Sequence, residues 1–262
     1  KKGKDAIQEC FVLGEEAAER ISNTFKKPIE LEFEKVYYPY LLFSKKRYAG
    51  LMYTKPSKPD YIDAKGIQLV RRDNCPLVKE VSTKVLDTIM YDLDPTKAAE
   101  FARQAARDLL AGTIPIDKLV VSKSLRRIKY ETIDGKVKAI HDYKSEAQPH
   151  ITLAVKLGVR EPGAGPRSND RVPYVFIDTG NKSDLQHLKA EDPEYVKQHG
   201  LKLDVEYYLE HALDSPLKSL FELFMIDPSR ELFERVKREY YGSQQANAFD
   251  VIRLKNLGQL II

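Results

Sequence analysis

The chain predicts an α+β fold, and three patterns carry that prediction. Residues 29–34 alternate Ile29, Leu31 and Phe33 with Glu30, Glu32 and Glu34, the period-two pattern of a strand with one buried face. Ile7, Phe11, Ala18, Ile21 and Phe25 recur at helical spacing opposite Glu15, Glu16, Glu19 and Arg20. Beyond residue 73, Asp-Pro pairs mark one helix start after another.

Taken in order, the first helix covers 5–25 and Pro28 closes it. The alternating strand follows, and an apolar run from Tyr38 to Phe43 leads into Lys45, Lys46, Arg47 and Tyr48. Lys, Pro, Ser and Asp clustered over 54–63 read as a turn, joining the strand of Lys45–Tyr48 to another through 67–71 as a hairpin. Asn74 is a candidate N-cap with Pro76 in the first turn, and Leu77, Val78, Val81, Val85 and Ile89 give that helix one apolar face. Asp94-Pro95, Asp192-Pro193 and Asp227-Pro228 repeat the device, an acidic cap before a proline with no N–H to satisfy. The first opens an alanine-rich helix over 96–111 that stops at Gly112. A short strand is expected at 119–122, a helix after Pro149, a Gly/Pro-rich loop over 160–170, and a strand over 171–178. Residues 204–223 read as helical with a break at Pro216, and 228–241 as a last helix ending at Gly242. Residues 243–262 show weak periodicity, a tail or a segment that docks elsewhere.

The composition excludes several classes. With 262 residues, 42% hydrophobic and 31% charged, there is material for one large or two modest domains, and no apolar run approaches the ~18 residues of a membrane span. No secretory signal is visible at the start, and Cys10 and Cys75 have neither zinc spacing nor disulfide density, so a reducing compartment, cytosol or nucleus, is expected. His187, His199 and His211 lack metal-ligand partners, the glycines at 163–165 lack a following Gly-Lys-Ser/Thr, and there is no Gly-x-Ser-x-Gly elbow. The net charge of +4 is uneven: residues 45–72 hold eight basic and two acidic residues, and 118–138 seven and two. A polyanion would meet those two segments first, although two ordinary solvated faces are the alternative.

Lys45, Lys46, Arg47 and Tyr48 are the leading candidates for such contact. In an extended segment Lys46 and Tyr48 would point one way and Lys45 and Arg47 the other. Lys and Arg donors suit phosphates or the minor-groove acceptors shared by all base pairs, so recognition need not depend on sequence. Lys65, Gly66, Arg71, Arg72 and Asp73 form a second set: Gly66 allows close backbone approach, the arginines can clamp phosphates, and Asp73 can orient one of them. Arg171 and Tyr174 form a third, with a packing role for Tyr174 equally open. The glutamates 30, 32 and 34 are either solvated strand residues or carboxylates that serve a cation.

The segments LEFEKVYYPYLLFSKKRYAGL and KGIQLVRRDNCPLV, about twenty residues apart, resemble the late palm of family B DNA polymerases, closest to the replicative delta type. SNDRVPYV (168–175) is similar to the family's thumb motif GDRVPYV, with Asn169 where glycine is common, and YYLEHALDSPLKSLFE (207–222) resembles the helical end of the thumb. The resemblance covers most of Gly14 to Glu222. It implies the C-terminal part of a polymerase palm, antiparallel strands plus a helix, over 1–73; a mostly helical thumb with a small β insertion over 74–242; and a tail over 243–262. It also implies that Lys45–Tyr48 grip the primer–template minor groove, and that Glu32 or Glu34 corresponds to a carboxylate close to the metal site. The family's SLYPS-type and YGDTDS-type motifs, which supply the Mg²⁺-binding aspartates for nucleotidyl transfer, are absent. The implied partners are therefore primer–template DNA, an N-terminal polymerase portion or chain carrying those aspartates, and dNTP through that portion. The chain alone is expected to be inactive. Gln244, Gln245 and Phe249 do not satisfy the sliding-clamp peptide pattern, so clamp binding is not supported at the tail. The implied location is the nucleus, or host cytoplasm or nucleus for a viral relative, and not the secreted space. A non-catalytic duplex-binding remnant or inactive paralogue is the alternative, and an unrelated α+β interaction protein is a third reading.

Overall fold

The amphipathic stripe of the first segment forms helix α1, Ile7–Ser22, which buries Ile7, Phe11 and Ala18. In this computed structural model, residues 3–67, 74–126, 128–133, 136–141, 147–163, 165–181 and 183–242 are described. Strands β1 (Val36–Ser44), β2 (Arg47–Tyr53) and β3 (Ile62–Lys65) follow as an antiparallel sheet in the order β1-β2-β3. Leu51 and Tyr53 on one face of β2 meet Ile7 and Phe11 of α1 in a small core of their own. Ala49 and Ile67 join the larger core of the rest of the chain.

The alternating segment 29–34 is not a strand. Ile29 is 59% exposed and Leu31 48%, because the ladder begins only at Val36 and, among the described residues, no partner strand lies beside this stretch. Two local anchors hold it. The Leu31 N–H donates to Ser22 Oγ at 2.7 Å, and the Phe33 ring lies against Gly14, where any side chain would collide with it, and edge-on to Phe11. The hairpin partner of β2 among the described residues is β3, at 62–65, while the strand expected through 67–71 lies almost entirely outside the described residues. Residues 68–73, including Arg71, Arg72 and Asp73, lie outside the described residues.

The body is mainly helical. Helix α2 (Pro76–Asp87) starts with Cys75, not Asn74, at the cap position and runs into a π turn, Thr88–Asp92. Helix α3 (Pro95–Leu110) is capped by Asp94, whose side chain accepts from the Lys97 N–H, and Gly112 follows at φ +69°. Strand β4 is Val121–Ser124, two residues later than the periodicity places it. A separate hairpin joins β5 (Ile128–Ile133) to β6 (Lys136–His141), and helix α4 spans Pro149–Arg160. Strand β7 (Arg171–Phe176) pairs with both β4 and β8 (Ala190–Glu191).

Asp192 caps α5 (Pro193–His199), and Asp204 caps α6 (Val205–Tyr207). A π turn, Tyr208–Leu213, leads from α6 into α7 (Asp214–Phe221). Pro216 removes the N–H that would bond the carbonyl of residue 212, so the irregular turn falls immediately before it. The last helix covers 228–242, and Asp227 accepts from the Arg230 N–H at its start. Val85, Ala98, Ala102, Leu109, Leu153, Val172, Leu213, Leu217 and Phe221 fill the common core. Among the described residues, no helix is long and apolar enough to cross a membrane.

Candidate nucleic-acid interface

The sheet register decides which side chains share a face. Gly50 of β2 lies opposite Asp63 of β3, Tyr48 opposite Lys65, and on the other side Tyr40 and Leu42 of β1 lie opposite Gly50 and Tyr48. Directly opposed residues project to the same face. Tyr40, Leu42, Tyr48, Asp63 and Lys65 thus occupy the face turned away from Leu51, Tyr53 and α1, and Tyr40 and Leu42 are exposed there.

Three phenols form the surface of that face. The Tyr40 ring lies 5.5 Å from both Tyr37 and Tyr48, and Tyr37 lies 6.1 Å from Tyr48. Gly50 leaves the floor flat: a Cβ there would sit 2.6 Å from the Tyr37 ring and 2.9 Å from that of Tyr40. Beneath the phenols Asp63 is 7% exposed. Tyr37 donates to its Oδ2 at 2.6 Å, Tyr48 donates to the same atom at 3.3 Å, and Lys65 Nζ stands 3.4 Å from Oδ1. The Tyr37 hydrogen bond, with the Lys65 charge, holds the Asp63 carboxyl below the usual carboxylate range against the opposing effect of burial. Burial and the same bond push the Tyr37 phenol up.

The cations meet at the end of this face. Lys45 and Lys46 form the tip of the β1–β2 hairpin and are exposed, while Arg47 and Tyr48 are half-buried. Lys46 takes φ +65°, so the strand alternation expected for Lys45–Tyr48 holds only from Arg47 onward. Gly66, at φ +66°, lies directly over this tip: a Cβ there would collide with the Lys46 carbonyl oxygen and stand 3.0 Å from the Arg47 side chain. The two sequence segments that hold Lys45–Tyr48 and Lys65–Gly66 therefore share one corner of the sheet. Asp63 belongs to the same corner and was missed in the sequence, where it reads as the end of a turn.

The other candidates lie elsewhere. Glu32 is exposed, and Glu34 is exposed with its carboxylate 3.0 Å from Lys35. Neither stands in a cluster that could hold a metal ion; among the described residues no group of three or more His, Cys, Asp or Glu is so arranged. The carboxylates of the described residues do not form a set that fits a Mg²⁺ site. Arg171 is spread along β4, donating to Ser122 O at 2.6 Å and Ser122 Oγ at 3.1 Å. Tyr174 is 2% exposed and packs edge-on to Phe176, so of its two readings the structure gives it the packing one. Asn169 adopts φ +71°, a conformation asparagine tolerates better than most residues, and its N–H donates to Leu125 O at 2.9 Å. The turn before Arg171 thereby keeps its form without glycine.

The second basic segment is pinned to the body by Tyr130, whose hydroxyl donates to Pro166 O at 3.0 Å and whose ring fills the space left by Gly158 and Gly165. Nearby, Arg160 grips the buried Glu191 through two bonds of 2.8 and 2.7 Å and lies 3.8 Å from the centre of the Tyr195 ring. These are contacts between α4, β8 and α5, and they leave the Arg160 guanidinium committed to the protein.

The sequence and the fold both have clear matches among known proteins. The model of DNA polymerase family B matches residues 1–224, and the chain belongs to that family. Within the family its similarity is to the delta type. It is 46% identical over 204 residues to the DNA polymerase delta catalytic subunit of Candida albicans, covering 78% of this chain and 18% of that protein. The corresponding subunit of Bos taurus is 44% identical over 203 residues, 77% of this chain and 17% of that one. The chain thus spans less than a fifth of the length of these relatives. The family B DNA polymerase of the archaeon Pyrobaculum calidifontis superposes with a TM-score of 0.56 at 25% identity, over 80% of this chain and 25% of that structure.

Proposed function

We propose that this chain is the late-palm and thumb portion of a replicative DNA-directed DNA polymerase, with the palm ending near residue 73 and the thumb covering 74–242. Its work is to hold the primer–template duplex. The observation that carries this reading is the corner where Lys45, Lys46, Arg47, Tyr48, Lys65 and Gly66 converge on an open sheet face. Exposed ammonium groups at a hairpin tip can reach phosphates, while the half-buried Arg47 and Tyr48 sit deeper, at the height of a groove. Arg71, Arg72 and Asp73 follow Lys65–Gly66 in sequence and extend the same grip along the backbone. Arg171 contributes to the hold on the primer strand, oriented by Ser122.

Nucleotide addition then requires a portion carrying the aspartates that hold Mg²⁺ and bind dNTP, and this chain alone is inactive. The metal supplies charge stabilisation at the attacking and leaving oxygens. This chain fixes the position and slope of the duplex, and so of the primer terminus. The proposed setting is nuclear replication, or the replication compartment of a virus.

The test is duplex affinity by fluorescence anisotropy. Because Lys46 has positive φ, the variant is Lys45→Ala, Lys46→Gly, Arg47→Ala, which keeps the turn. It should bind primer–template roughly 10- to 100-fold more weakly at ~100 mM salt, by a similar factor for unrelated sequences. Unchanged affinity would overturn the reading.

A further inference from the structure

We propose that Asp63 is a positioning residue that sets the hydrogen-bond polarity of Tyr48, leaving its hydroxyl as an acceptor for the guanine N2 amino group in the duplex minor groove. The inference rests on the reading of this corner as a duplex grip.

An ionised carboxylate only accepts hydrogen bonds. Both phenols on Asp63 must therefore donate, Tyr37 at 2.6 Å and Tyr48 at 3.3 Å to Oδ2, while Lys65 occupies the side of Oδ1 at 3.4 Å. A phenol has a single proton. Once that of Tyr48 is directed inward, the hydroxyl offers only lone pairs to whatever approaches the free face. The carboxylate is 7% exposed and stays charged, so this polarity is permanent around neutral pH.

The minor groove presents acceptors on every base pair and one donor, the guanine N2 amino group, on G·C pairs alone. Lys45, Lys46, Arg47 and Lys65 can only donate and so match the acceptors. Of the segments Lys45–Tyr48 and Lys65–Gly66, Tyr48, opposite Lys65 in the register, carries the side chain that matches the donor. Because that amino group projects into the groove in either orientation of the pair, its recognition does not distinguish G·C from C·G. A copying enzyme keeps its tolerance of sequence while sensing whether the amino group is in place.

The experiment compares primer–templates of one sequence with guanine or with inosine, which lacks only the N2 amino group, paired to cytosine. Anisotropy of the full chain should show inosine weakening binding by about 3- to 10-fold, the worth of a single hydrogen bond. In Tyr48→Phe that discrimination should vanish. In Asp63→Asn, whose amide can donate to Tyr48 and release its proton, discrimination should also vanish, while the salt dependence set by the lysines and arginine stays. A merely structural Asp63 would lower affinity for both duplexes equally and leave discrimination intact, which would overturn the inference. Should Asp63→Asn fail to fold, Tyr48→Phe decides alone: discrimination persisting there also overturns it. The broader reading is tested separately, because Lys45→Ala, Lys46→Gly, Arg47→Ala should weaken both duplexes equally whether or not Tyr48 senses guanine.

Discussion

In the helical body, the buried carboxylate of Glu191 is answered by the Arg160 guanidinium, which also lies over the Tyr195 ring, so the charge is paired by groups of three packed elements. In the sheet β1–β3, the buried carboxylate of Asp63 is covered by tyrosines whose far sides meet solvent. Both sites solve the same problem, a charge removed from water, and they differ in what lies beyond the charge. The first fastens α4 to β8 and α5. The second presents an oriented surface on a unit whose own core is small, four buried residues with a fringe of partly buried ones. The larger core lies in the body, while the proposed duplex-binding surface sits on the element with the smaller core.

Three substitutions probe that contrast. Arg160→Ala leaves Glu191 buried without its fork and should cost about 4 kcal/mol in chemical denaturation, with duplex affinity of the folded protein unchanged. Loss of affinity in step with stability would break the separation of the two regions. His150, buried at the start of α4, has its pKa lowered to about 4 by burial and by the charge of Lys123. An imidazole in the unfolded chain titrates near 6.5. Below that pH the unfolded state takes up a proton that the native state refuses, so stability is full above about 6.5 and declines as pH falls towards 4, by up to about 3 kcal/mol. His150→Gln should flatten that profile, and an unaltered profile would remove His150 as its cause. Gly50→Ala is the smallest effect on stability, about 2 kcal/mol, because a methyl group displaces the Tyr37 and Tyr40 rings. It should nevertheless weaken duplex binding, which Arg160→Ala does not.

The legible parts of the fold were those decided within a few residues. Asp94, Asp192 and Asp227 cap the helices that their Asp-Pro pairs announce, since cap and first turn are neighbours in the chain. Pro216 likewise signals the irregularity before it, the π turn of Tyr208–Leu213. The segment Ile29–Glu34 differs from its pattern because alternation records a chain that can be a strand, and a strand also needs a partner edge, which this stretch lacks among the described residues. The cationic character of Lys45 and Lys46 is plain in the sequence, but the turn that reverses the chain at Lys46 is not. Asp63 was invisible for a different reason. In sequence it is one polar residue near a turn, and its burial is created by Tyr37 and Tyr48 from two other strands.

The salt dependence of duplex binding tests the central claim most directly. Log affinity plotted against log salt has a slope set by the number of phosphates neutralised, close to −0.9 for each. If the corner formed by Lys45, Lys46 and Arg47 grips the backbone, the variant Lys45→Ala, Lys46→Gly, Arg47→Ala should show a slope less steep than the parent by about 2 to 3. The same slope in both proteins would contradict the assignment of this corner as the duplex grip.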